Sequence, residues 1–122
     1  MVKLILAVVL SVFAAPENES TFKIDGKPQV FTVRHDQHLM VNRECLQKAS
    51  CVALEKFKAT TEPPKNTSAN PGAIICKEQL HGHVVIGTDK SGNQNSFCAF
   101  DDGSLLDCGS ISYQAHKNRK RR

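Results

Sequence analysis

NPGAIICKEQLHGHVVIGTDKSGNQNSFCAFDDGSLLDC, residues 70–108, decides how this chain reads. Asn70-Pro71 is a helix start, because Asn is a preferred cap and Pro is pre-set for the first helical position. Ala73, Ile74, Ile75, Cys76 and Leu80 give that helix an apolar side, and Gly82 is its natural stop. His83 to Thr88 then reads as a strand, 89–93 as a turn and Gln94 to Phe100 as a second strand. Asp101-Asp102-Gly103 turns the chain into a third strand over 104–110. The expected architecture is α+β: a small disulfide-stapled domain in which an open, three-stranded antiparallel meander carries a helix on one face.

Working outward, residues 21–33 read as a hairpin, Thr-Phe-Lys-Ile and Gln-Val-Phe-Thr-Val about an Asp25-Gly26 turn. Pro28 confines its second strand to an edge or a bulge. Over 42–58 the period becomes helical, with Leu46, Ala49, Ala53 and Phe57 in register and Asn42 or Ser50 as cap. Two residues six apart on one helix lie about 9 Å apart along its axis. Cys45 therefore bridges Cys51 only if the helix starts late, near Ser50; otherwise each pairs elsewhere. Pro63-Pro64 in a polar context makes 59–69 a linker. The expected division is 1–14 leader, 15–58 hairpin plus helix, 59–69 linker, 70–112 helix plus meander, and 113–122 a disordered basic tail.

The leader is a secretory signal peptide. Lys3 is its positive end, 4–10 its apolar run and Val12-Phe13-Ala14 its small-residue exit. The apolar stretch 4–15 is too short to span a bilayer. No cysteine stands at the cleavage point, which argues against a lipid anchor. The expected location is periplasmic or secreted, and there Cys45, Cys51, Cys76, Cys98 and Cys108 read as staples. On the sheet face toward the helix, Cys76 has either Cys98 or Cys108 as partner. Five is odd, so one thiol is left over, buried or free to link two chains into a dimer. The chain has one Tyr and no Trp, and its orderable part of roughly 80 residues is near the size at which a core alone gives only ~3–5 kcal/mol.

Charge is uneven. Without Lys3, 15 basic residues face 12 acidic ones, and Lys117, Arg119, Lys120, Arg121 and Arg122 cluster at the end. The remaining body is slightly acidic, which is not the footprint of a nucleic-acid-binding domain. The terminal cations suit an anionic lipid or polysaccharide surface. His35-x-x-His38 and His81-Gly-His83 have no placed acid or thiol beside them and read as surface histidines. Asp89-Lys-Ser-Gly-Asn lacks the spacing of a calcium loop. Asn18-Glu-Ser and Asn66-Thr-Ser match the glycosylation acceptor pattern. No serine elbow, phosphate loop, metal motif or thiol–histidine pair is present, so no catalytic residue, metal or cofactor is expected.

Asn70-Pro71, Cys76, the turn before Phe97-Cys98, and Phe100-Asp101-Asp102-Gly103-Ser104 resemble a small bacterial exported domain of unknown function whose members often carry a hemolysin label. The pattern covers about a third of the chain. It departs at the end: a Trp-containing segment and a fourth cysteine are missing after Cys108, and the interval from Cys98 to Cys108 is longer. The family's bridge pattern therefore does not carry over. A pore needs about 20 apolar residues in a helix or strands of about 9–11 residues, and this chain offers neither. The expected function is a non-enzymatic exported binding or envelope-associated module of unknown partner, presenting the turns at 89–95 and 101–104. The alternative is a membrane-active, hemolysin-like factor working through 117–122.

Overall fold

The computed structural model describes residues 18–60 and 70–120. The expected signal peptide, nearly all of the linker with Asn66, and Arg121 and Arg122 lie outside those residues. Six strands are described: β1 (Asn18–Ile24), β2 (Lys27–Arg34), β3 (Leu39–Asn42), β4 (His83–Thr88), β5 (Gln94–Ala99) and β6 (Leu105–Asp107). They form a closed antiparallel barrel in the order β1-β2-β3-β6-β5-β4. The open meander is thus overturned. β4, β5 and β6 do pair as expected, but β3 joins β6 at Val41–Leu106 and β1 joins β4 at Lys23–Thr88. Both hairpin and meander had unpaired edges, and each satisfies the other's. The described parts of the two expected units, 18–58 and 70–112, therefore build one barrel.

The β1–β2 hairpin follows from Asp25 and Gly26, both in the left-handed region at φ 53° and 77°, as a two-residue turn matched to strand twist requires. Register then explains Pro28. It stands opposite Lys23, one step from the turn-closing Ile24–Lys27 pair. Its nitrogen thus points away from β1, and β3 pairs with β2 only from Phe31 onward. No ladder bond is lost there.

Period-two alternation divides the apolar residues between two layers. Phe22, Ile24, Phe31, Phe97 and Leu105 fill the inside of the barrel. Phe31 stacks on Phe97 at 4.4 Å, and Phe22 meets both edge-on. Leu39, Val41, Cys98 and Leu106 face the other way, into a second layer shared with the helices.

Four helices build that layer: α1 (Arg43–Gln47), α2 (Val52–Ala59), α3 (Pro71–Glu78) and α4 (Cys108–Lys120). Of the two alternatives open over 42–58, the late helix start is found: α2 begins at Val52, a break at 48–51 separates it from the short α1, and Cys45 on α1 bridges Cys51 at the cap of α2. Asn42 precedes α1 but does not cap it. Its Oδ1 instead accepts the buried Leu105 N–H at 2.9 Å, tying β3 to β6. Asn70 caps α3 as read, accepting the Ala73 N–H at 3.1 Å. The left-handed residue after α3 is His81, at φ 59°, and not Gly82.

Two further expectations are corrected at the C-terminus. The strand expected over 104–110 stops at Asp107, whose carboxylate accepts the Ser110 N–H at 2.9 Å and starts α4. The tail expected to be disordered from 113 is helical through Lys120. Ile111 and Ala115 are fully buried against the other helices, which holds it there.

Candidate functional site

A concavity lies at one mouth of the barrel, where β2 ends, β3 begins and β6 gives way to α4. It is a groove of about 520 Å³, lined by Val33, Arg34, His35, His38, Met40, Asp107, Gly109, Ser110 and Tyr113, among others. Barrel mouths are recurrent ligand sites because the strands hold the rim rigid while the connections vary.

The rim is built by hydrogen bonds that follow from the sequence. Asp107 receives the Asn95 side-chain N–H at 2.8 Å on one oxygen; on the other it holds both the backbone N–H and the hydroxyl of Ser110. The Ser110 hydroxyl accepts the Met40 N–H at 2.9 Å, fastening β3 to α4. Residues 35–37 form one 3-10 turn, and His38 closes it in the left-handed region at φ 50°. That turn lays the His38 ring on Tyr113, with centroids 3.7 Å apart and planes within 15°. Tyr113 is 43% exposed, one of two large hydrophobic side chains on the described surface; the other, Ile86, belongs to β4. His35 Nε2 accepts a hydrogen bond from the Asn18 side-chain N–H at 2.8 Å.

α4 carries the exposed cations of the described C-terminus. Tyr113, His116 and Lys117 are exposed and share one stripe of the helix, three and four residues apart. Arg119 is exposed on another side. Lys120 ends the helix, while Arg121 and Arg122 lie beyond the described residues. The residues of the expected cationic tail are therefore helical through Lys120, with Lys117 one turn beyond Tyr113 of the groove. Sequence reading separated these groups: His35 and His38 were surface residues, Tyr113 had no role, and Lys117 was in a loose tail. The available signal was Asp107-Cys-Gly-Ser110, a helix start that makes an ordered α4.

The cysteines settle as two bridges and one thiol. Cys45–Cys51 and Cys76–Cys98 are disulfides; Cys108 is free and buried. Burial pushes the Cys108 thiol up to about 11, the neighbouring Asp107 charge adds to this, and a hydrogen bond with Ser96 works against both. So little thiolate exists near neutral pH that Cys108 is a poor nucleophile. At 1% exposure, it meets a second chain's thiol only after the fold opens.

The 101–104 turn, expected to present a binding loop, has an inward task. Asp102 accepts the Val52 N–H and the Ser104 hydroxyl accepts the Ala53 N–H, each at 3.0 Å. α2 is thus capped from a turn some fifty residues away. The 89–95 turn is closed on itself, Asp89 accepting the Ser91 and Asn93 N–H groups at 2.9 Å. Among the described residues no group of three His, Cys, Asp or Glu is placed to hold a metal, and no helix is long and apolar enough to cross a membrane. The strands, at three to eight residues, are shorter than the ~9–11 that cross a bilayer.

No protein-family model, curated protein or solved structure matches this chain.

Proposed function

We propose that the protein is an exported, disulfide-stapled binding module that works without catalysis and takes its ligand in the groove at the barrel mouth. The observation carrying this reading is the groove itself, a concavity with an exposed ring pair on a barrel whose interior is packed solid with phenylalanine. Rigid scaffolds of this kind hold a binding rim at low entropic cost. Two disulfides are consistent with an oxidising compartment. The leader-like 1–14 supports export, and the likeness to the hemolysin-labelled exported domain points to the cell envelope. Attraction to an anionic surface through the α4 cations belongs to the same reading, because Lys117 is exposed one helical turn beyond Tyr113.

Two measurements test it. Non-reducing peptide mapping of protein recovered from its native location will give the 45–51 and 76–98 links, with one thiol at Cys108 that alkylates only in denaturant. Envelope components retained by the immobilised protein will be released by His35→Trp, a surface change that fills the groove. Finding all five thiols free, or retention indifferent to that change, overturns the proposal.

A further inference from the structure

We infer that two copies of this protein pair through the outer edge of β4, Val84 of each strand lying against Ile86 of the other. This goes beyond the groove and does not depend on it.

The edge comes from the hairpin. β4 pairs with β5 through all six of its residues, but on its other side only Thr88 has a strand partner among the described residues, Lys23 of β1. Continuing that antiparallel register would set Ile24 beside Gly87 and Asp25 beside Ile86. Asp25-Gly26 is already the turn that carries the chain away into β2. The barrel therefore closes at one end of this seam, and His83–Gly87 is left as an edge. Along such an edge every second residue aims its N–H and C=O outward, a template for another strand. Edges are commonly guarded by Lys, Pro or a bulge. His-Val-Val-Ile-Gly has none of these and is rich in strand formers. The matching stretch of β1, Glu19–Phe22, is instead covered by the turn at 89–91, with which it lines one shared hollow.

The two faces of β4 differ. Val85 packs on the phenylalanine core, and Gly87 faces Phe97 and Phe22. Val84 and Ile86 thus point outward. Val84 is half-buried against the helix layer. Ile86 stands opposite Ser96 of β5 and is 51% exposed. It lacks an apolar neighbour on β5, and on its other side the strand that would supply one is missing.

Parity selects the occupant. Opposed residues of an antiparallel pair share a face. A second β4, laid two-fold along the edge about Val85, sets Val84 against its partner's Ile86 and Ile86 against its partner's Val84. One symmetry operation makes the apolar pair twice. The strand carries no Lys, Arg, Asp or Glu, so two copies meet without like charges. The pairing is short, which places it among weak strand-addition contacts below about 1,200 Å². No residue of β4 lines the groove, so a pair presents two open grooves.

The test is sedimentation equilibrium of the full disulfide-bonded protein, with amide exchange at low and high concentration. Expected is a rise from monomer toward dimer mass between about 10 μM and 1 mM, with protection of Val84, Val85 and Ile86 growing over the same range. Ile86→Lys is expected to weaken association at least about tenfold while leaving the melting temperature at ~1 μM unchanged. Ile86→Thr, which keeps a β-branched side chain, weakens it too and serves where the lysine unsettles β4. Lys58→Glu, exposed on α2, leaves it unaltered. A monomer throughout the range, a dimer indifferent to both Ile86 variants, or concentration-dependent protection on α4 instead of β4 overturns the inference. Protection of β4 that appears only with added envelope extract, and never with concentration, overturns it in favour of a foreign strand.

Discussion

Asp102 and Ser104 show how much one turn can hold. Ser104 is buried and its hydroxyl takes the Ala53 N–H. Ser104→Ala strands that donor and is expected to cost about 1–2 kcal/mol, read as a lower urea midpoint. Burial alone would raise the Asp102 carboxyl. Hydrogen bonds from the Ser104 hydroxyl, the Val52 N–H and the Ser104 N–H, with the Lys48 charge, outweigh it and hold the group below its ordinary 3.8. The folded chain thus binds this proton less readily than the unfolded chain, so the stabilisation is complete above 3.8. It drains away as pH falls through 3.8 and then the lower folded value. Asp102→Asn removes this acid-side loss, so its urea midpoint will fall less than wild type's between about pH 5 and pH 2. Nothing local in Asp-Asp-Gly-Ser announces this, since the N–H groups it serves belong to residues 52 and 53.

At the scale of elements, α3 and α4 touch backbone to backbone because Gly72 has no side chain. A Cβ there would collide with the Cys108 carbonyl, so Gly72→Ala will force the helices apart and cost about 1–3 kcal/mol, visible in thermal melts. The two bridges differ by loop length. Separations of 6 and 22 residues give about 2 and 3 kcal/mol in the chain-entropy picture. The Cys76→Ser/Cys98→Ser protein should therefore melt below Cys45→Ser/Cys51→Ser; the reverse order would assign the stabilisation to native-state packing instead. Elements fixed by neighbouring residues were legible from sequence: the Asp25-Gly26 hairpin, the Asn70-capped α3 and the β4–β5–β6 pairings. β3 was not, because four residues, Leu39–Asn42, are too few to show a period. α4 was missed because its polar composition outweighed the Asp107 cap and the two buried positions, Ile111 and Ala115. The groove was illegible in part for the same reason, since Leu39, Met40, Gly109, Ser110 and Tyr113 in its walls come from those two elements.

For the whole molecule, closure depends on two non-local seams, β1–β4 and β3–β6, with one paired position each. β1 and β2 share seven paired positions, whereas β1 meets β4 at Lys23–Thr88 alone. Amide exchange should accordingly be fastest for the Lys23–Thr88 seam and slowest for the shared core of β5; equal protection at both would show that the barrel opens only as a unit. The sulfurs carry a different consequence. Each bridge joins a cysteine to the very next one in the chain, and the spare thiol is the last of the five. A polypeptide emerging N-terminus first into an oxidant, and linking each thiol to the nearest one already present, would arrive at the native set without reshuffling. The order of emergence can thus proofread the covalent framework before any barrel exists.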